Sequence, residues 1–421
     1  MNEISEEIIS ATGTVASVGS AAGPGEISWI LICSALVFIM VPGVALFYGG
    51  MLRKQSMTSI MTQTLAAMGV MTVSWFLVGY SLSFSGDGIL IGSFDSILLH
   101  GVSEEAVDGI SEMEFAIFQM MFSMITAAIV IGACAERIRY SAMIWFLVIW
   151  SVVVYAPMAH WVWGGGLIDR FLTVLDFAGG TVVHICAGAT GLALIAFLGS
   201  RSDHVKASRA HNVPFAFIGG ILLWFGWFGF NEGSGLSADG VSVHAIMTTQ
   251  ISAAGGLLSW SLAQYMKVGR VGTLGMITGA VAGLVAITPG APYIGYGESL
   301  LVGIAGGVIC FFAVRLFRAK VPLDDALDVF AVHGTGGIWG AIATGKFADP
   351  ALSGGIRGLA FGGTDLFVGQ IAAVLITLAF CFTVSYAIIW VLSKLMRVKL
   401  TPEEEMIGQD LAENAEPAYM M

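Results

Sequence analysis

The chain has 421 residues, 57% hydrophobic and only 11% charged, where a soluble domain carries about 25% charged residues. Its charges leave repeated uncharged gaps of about 20 residues, the length that crosses a bilayer core, which excludes a soluble enzyme, a disordered chain, a collagen and a β-barrel built from short alternating segments. The net charge of −11 sits in the N-terminal loops and near the C-terminus, and no basic patch suited to nucleic acid exists.

Residues 1–27 contain Glu3, Glu6, Glu7 and Glu26 but no Lys or Arg, the reverse of a signal peptide's basic start, and read as a solvent-exposed, extracellular N-terminal segment. Eleven uncharged spans follow, predicted as transmembrane helices over 28–50, 56–80, 115–135, 141–163, 177–199, 213–231, 243–266, 271–289, 299–314, 326–345 and 366–393. All Lys and Arg except Arg170, Lys346 and Arg357 follow odd-numbered spans. The positive-inside rule therefore places the N-terminus outside and the C-terminus in the cytoplasm. Cys33, Cys134, Cys186, Cys310 and Cys381 are scattered through apolar stretches and form neither a disulfide framework nor a CxxC metal site.

The chain repeats itself. Asp176-x7-His184-x3-Gly188-x2-Gly191 recurs as Asp325-x7-His333-x3-Gly337-x2-Gly340, and Gly43-x3-Phe47-x2-Gly50 is matched by Gly226-x3-Phe230-x2-Gly233. Span one thus pairs with six and five with ten. The repeat unit has five helices, an odd number, so the second copy is inverted, as in many transport proteins with a midplane substrate site. The division is 28–199 for the first repeat, 200–347 for the second, 348–395 for a loop and the eleventh helix, and 396–421 for a cytoplasmic regulatory tail.

Ionisable side chains inside spans are costly in lipid and are candidates for function. His184 lies eight residues beyond Asp176, about 12 Å along a helix and close to the middle of a core about 30 Å thick. Inversion puts His333 at the same depth. The glycines that follow share each histidine's face, so the helices can approach there and bring the two imidazoles together, donor to acceptor. A metal site is the rival reading, but each Asp lies about 12 Å from its own His and about 80° around the helix, too far to join one ion. Asp176 and Asp325 are expected as helix caps, and Asp328 as a brace one turn inside helix ten.

Aromatic residues collect near the outer helix ends: Phe118, Phe122, Trp161, Trp163, Trp227 and Phe230. An interface belt explains such residues and is the reading for Trp161. If the other helices converge on one vestibule, aromatic faces with the Ser234 hydroxyl would hold a small cation.

Several longer motifs, in order, resemble the ammonium transporter family, in the Amt/Mep branch of the Amt/Mep/Rh superfamily: Phe47-Tyr-Gly-Gly50, Gly132-Ala-Cys-Ala-Glu-Arg-Ile-Arg139, Trp163-Gly-Gly-Gly166, Asp176-Phe-Ala-Gly-Gly-Thr-Val-Val-His184, Gly226-Trp-Phe-Gly-Phe-Asn231 and Asp328-Val-Phe-Ala-Val-His-Gly334. The resemblance implies a homotrimer in the plasma membrane with a pore in each subunit and no cofactor. It implies an outer ammonium site at Trp163, Phe122 and Ser234, with Phe118 beside it. A phenyl gate follows at Phe122 and Phe230, then twin pore histidines at His184 and His333, with Asp176 shaping the vestibule. Glu232 stands where the family commonly has a small residue; it could raise the local cation concentration or face a neighbouring helix. The tail is similar to a segment that contacts the adjacent subunit in relatives, some of which are blocked by a PII-type regulatory protein.

An unpaired small cation entering low dielectric pays an idealised cost on the order of 20 kcal/mol, and a cation–π contact returns only about 0.5–2 kcal/mol. The expectation is that ammonium is recruited as an ion, crosses as ammonia, and its proton travels by the histidines. Passive ammonia conduction, and sensing through a partner, are the alternatives. An intramembrane enzyme is disfavoured because neither a nucleophile nor a metal triad accompanies the histidines.

Overall fold

A computed structural model describes residues 24–106, 109–202, 205 and 210–419. The predicted N-terminal segment lies almost wholly outside the described residues, as do Lys206 and Arg209. Among the described residues the regular structure is helical, apart from one antiparallel bridge between Ile138 and Lys399.

In chain order the helices are α1 (Pro24–Met51), α2 (Lys54–Phe84), α3 (Glu112–Ala133), α4 (140–163), α5 (Gly180–Leu198), α6 (Val213–Gly233), α7 (Gly240–Val268), α8 (Thr273–Ile287), α9 (Tyr296–Lys320), α10 (330–347), α11 (Asp365–Leu395) and the tail helix α12 (Pro402–Ile407). Among the described residues, nine of these are long and apolar enough to cross a membrane, and α8 is a shorter apolar helix. Each predicted span coincides with a helix, with shifted ends. Span nine extends to Lys320 and carries Arg318 and Lys320 in its last turn, where the helix dipole favours cations.

Local chemistry explains the starts. Ser111 and Glu114 form a reciprocal capping box for α3, and Thr401 and Glu404 do the same for α12; each satisfies two backbone donors that the helix leaves free. Asn212 and Asp239 cap α6 and α7. Asp176 and Asp325 cap too, but from ahead of their helices. Asp176 accepts from the backbone N–H groups of Gly179, Gly180 and Thr181, and Asp325 from those of Val329, Phe330 and Ala331. Spans five and ten therefore begin at 180 and near 330, later than predicted. The placement of Asp328 inside helix ten is corrected: it precedes the helix with φ of 59°, and its carboxylate pairs with Arg318.

Close helix contact follows the glycines. A Cβ on Gly219 of α6 would lie 2.2 Å from the Phe47 nitrogen of α1, and one on Gly303 of α9 would lie 2.2 Å from the Ser252 oxygen of α7. Backbones approach this closely only through small residues, the usual packing device in lipid. Among the described residues four of the helices α1 to α11 contain a π turn, at Trp75–Gly79, Ser151–Tyr155, Gly180–Ile185 and Phe330–Gly334, and the tail has another at Asp410–Asn414; such distortions are found often at functional sites.

One end of the molecule gathers the basic loops. Glu136 there is 1% exposed and bonds both Arg53 (2.9 Å) and Arg201 (2.8 Å). Arg201 continues to Asp324 at 2.8 Å, and Arg137 reaches the same carboxylate at 3.3 Å. Burial by itself would raise the Asp324 carboxyl, but hydrogen bonds and charge from Arg201, helped by Arg137, hold it down at about 2. The C-terminal tail seats on this cluster: Arg53 donates to the Glu405 carbonyl, the Ser59 N–H donates to Asp410, and Arg139 pairs with Glu413.

Candidate functional site

The two predicted histidines meet. The Nδ1 atoms of His184 and His333 lie 3.4 Å apart with both rings buried. Each ring sits within a π turn, at Gly180–Ile185 or Phe330–Gly334, just beyond a stretch of backbone capped by an aspartate. The helices cross where Gly188 faces Gly334 and Gly337 faces Gly180 and the His184 Cβ. Gly191 and Gly340 serve other contacts: they pack on Ala133 and Ala286. Two neutral imidazoles can share one hydrogen bond here, and His184 Nε2 has no partner.

Above this pair, on the side away from the basic loops, stands a stack of aromatic rings. Phe230 lies 5.9 Å from the His184 ring, and Phe122 stacks on Phe230 at 4.3 Å. Trp163 meets Phe122 edge-on at 5.9 Å, and Phe118 flanks Phe122 at 4.9 Å. The helices carrying these residues do converge. The Trp163 N–H donates to the Asp176 carbonyl at 2.8 Å, which ties the indole to the capped start of α5. Ser234 ends α6 beside the rings, and its hydroxyl donates to the Phe230 carbonyl at 2.8 Å, leaving its lone pairs as acceptors.

The space beside the histidines is lined by Met40, Val44, Phe47, Tyr48, Ile125, Ile129, Leu223, Trp227, Phe230 and Val281, and its volume is about 10 Å³, close to the room one water needs. None of these linings carries a formal charge. On the basic side a cavity of about 930 Å³ opens among Arg53, Glu136, Arg201, Arg318, Asp325 and Asp328. The arrangement combines a ring cluster able to face a cation, an apolar constriction one small molecule wide, and a polar pair that can accept and donate a proton.

Sequence reasoning missed one contributor and placed another too far out. Tyr48 lines the constriction and its hydroxyl is 3.4 Å from the Ile129 carbonyl. Trp227 stacks on His184 at 5.3 Å, held by its N–H donating to Thr288. Trp227 was noted only as a vestibule candidate. Its spacing of three residues from Phe230 puts both on one helix face, which was the available signal. The belt reading of Trp161 is corrected: the side chain is buried, donates to the Leu90 carbonyl and packs on Phe380.

Glu232 follows Phe230 by two residues, about 200° around the helix, and so points away from the rings. Its neighbour Gly233 packs on Cys33 of α1, and the Glu232 side chain is buried with Oε1 unpaired. The same glycine also packs on the Phe118 ring. No three His, Cys, Asp or Glu residues lie close enough to hold a metal among the described residues.

The sequence model of the Ammonium Transporter Family matches residues 28–419. An ammonium transporter of Bacillus subtilis is 43% identical over 399 residues, covering 94% of this chain and 98% of that one. The crystal structure of Saccharomyces cerevisiae Mep2 superposes with a TM-score of 0.84 at 33% identity, over 91% of this chain and 89% of its own. A structure titled Sensor Amt Protein gives a TM-score of 0.85 at 28% identity, over 92% and 98%.

Proposed function

The chain belongs to the ammonium transporter family and is a multi-pass membrane protein, and from that premise we propose that it conducts ammonia through the constriction while passing the proton separately. Trp163, Phe122 and Ser234, with Phe118 behind them, recruit ammonium by cation–π contact and a hydroxyl acceptor. The ion loses its proton below that site, with the unpartnered Nε2 of His184 as the base that finally accepts it, because the lumen offers the ion no counter-charge and an unpaired ion in that space costs far more than the rings return. Ammonia then passes the Phe122 and Phe230 rings, and the proton moves along His184 and His333, each of which accepts on one nitrogen and donates from the other. Asp176 keeps α5 in place and the Trp163 indole anchored. Asp325 does the same for α10, and Asp328 holds Arg318 at the inner mouth.

In this reading all eleven helices α1 to α11 span the membrane. Repeats 28–199 and 200–347 are inverted about the midplane, the N-terminus is outside, and the tail is cytoplasmic. The matched caps of Asp176 and Asp325 and the matched π turns at the histidines support the inversion. We assign the protein to the plasma membrane as a homotrimer, with a PII-type protein as a candidate partner for the tail face.

The observation that carries the mechanism is the 3.4 Å histidine pair at the foot of an otherwise apolar lumen. Its test is a current recording on proteoliposomes. An ammonium pulse should give an inward current and a potassium pulse none, since potassium has no proton to lose. Ammonia flux without current would replace this reading with passive conduction. The likeness to the Sensor Amt Protein structure favours ammonium sensing as a second reading, for which ammonium would bind without either current or flux.

A further inference from the structure

His160 belongs to none of the parts above, yet it is fully buried three residues before Trp163. Its Nδ1 lies 2.9 Å from the Ser83 carbonyl oxygen and its Nε2 lies 2.6 Å from that of Gly88. The Ser83 carbonyl lies in the last turn of α2 and that of Gly88 in the chain that leaves it. The His160 backbone carbonyl in turn accepts from the N–H groups of Gly164 and Gly166, at 3.0 and 2.9 Å. One residue therefore grips two segments, 83–88 at the end of α2 by its ring and the turn after Trp163 by its backbone.

The two segments touch. A Cβ on Gly164 would lie 2.0 Å from the Ser83 oxygen, and one on Gly166 would lie 2.8 Å from the His160 ring. Movement of the Ser83 carbonyl is thus passed directly to Gly164, the residue bonded to Trp163. Two neighbouring side chains hold the chain leaving α2, Trp161 on the Leu90 carbonyl and Arg170 on the Asp87 carbonyl, at 2.8 and 2.6 Å. Arg170 also reaches the turn, its backbone N–H donating to the Gly166 carbonyl at 2.9 Å, but it is His160 that bonds both members of the Ser83 and Gly164 contact, Ser83 by its ring and Gly164 by its carbonyl.

We propose that His160 is a positioning residue of the outer aromatic site, setting the Trp163 indole against Phe122 by locking the 83–88 segment to the 164–166 turn. The proposal rests on Trp163 being a recruitment residue. A neutral imidazole carries one N–H, so without the ring one of the two buried carbonyls loses its donor, the segment shifts to find another, and the indole moves off Phe122. Recruitment suffers while the constriction and histidines, on other helices, are untouched.

The experiment compares His160→Phe, His160→Gln and Trp163→Ala, each as assembled full-length protein in proteoliposomes, and His160→Phe combined with Trp163→Ala. His160→Phe should raise the apparent KM for ammonium about fivefold, the scale of one lost hydrogen bond, with maximal current unchanged. His160→Gln, whose amide can donate to a carbonyl, should recover part of this, and serves as the test variant if the Phe protein does not assemble. The double variant should match Trp163→Ala alone, because a residue acting through Trp163 has nothing left to position. Unchanged KM in the His160 variants, a loss of maximal current in place of a KM change, or multiplying effects in the double variant would overturn the proposal. Unchanged KM in Trp163→Ala would instead remove the recruitment reading beneath it.

Discussion

Replacing His184 with Ala removes one of the two imidazoles in the constriction. The ring lost is the one 3.4 Å from His333, 5.3 Å from Trp227 and 5.9 Å from Phe230. What remains around a crossing molecule is mostly hydrocarbon and phenyl, with His333 and Tyr48. Ammonia entering this space without its imidazole partner forfeits a hydrogen bond worth about 1–3 kcal/mol as a buried, unsatisfied group, which slows passage about 5- to 150-fold. The proton loses its route altogether, because His333 is left with no second imidazole to exchange with. The expected outcome is that ammonium-evoked current disappears while a slow neutral flux persists. Current would be read on proteoliposomes adsorbed to a solid-supported membrane, and neutral flux with a pH dye inside the vesicles, after size exclusion has confirmed assembly. Undiminished current that still excludes potassium would refute the histidine relay.

Two further outcomes concern the basic end. Glu136→Gln leaves Arg53 and Arg201 buried against a neutral amide, and should lower unfolding stability by about 3–5 kcal/mol, seen as a drop in Tm of the solubilised protein, with the tail becoming accessible to protease because Arg53 also holds Glu405. Asp324, held at about 2 against an ordinary value of 3.8, contributes stability that is complete above its unfolded value and is lost as pH falls through about 2. The contribution is about 1–2 kcal/mol after allowance for partial solvent screening. Melting curves recorded downward from pH 6 should show this loss, and Asp324→Asn should flatten it.

The helices were legible because lipid forbids charge over about 20 residues, a constraint written directly in the gaps between Lys, Arg, Asp and Glu. The histidine pair was legible because a buried ionisable residue is rare, and two at matching repeat positions are rarer. The π turns holding them were not, since an extra residue in a helical turn leaves no compositional trace and depends on the packing of Gly188 and Gly337. Asp328 was misplaced for a related reason. A non-glycine residue with positive φ is sterically disfavoured, so nothing in Asp325-Ala-Leu-Asp328 announced that the helix had yet to begin. The Glu136 cluster was also hidden: its partners Arg53, Arg201 and Asp324 come from loops far apart in sequence, and counting basic residues by loop reveals orientation but not which acid each one meets.

The Phe122 and Phe230 rings stack at 4.3 Å, close to van der Waals contact for carbon atoms, so in this conformation there is no open tube. On the proposed route each passage would require at least one ring to swing aside and return. Below the rings there is space for about one small molecule, so no queue can form and no following molecule can push its predecessor through. Throughput should therefore be paced by ring motion inside a packed protein, not by diffusion along a column of fluid. Such a pathway would show the steep temperature dependence of a conformational gate, where an open pore would show the shallow dependence of water viscosity.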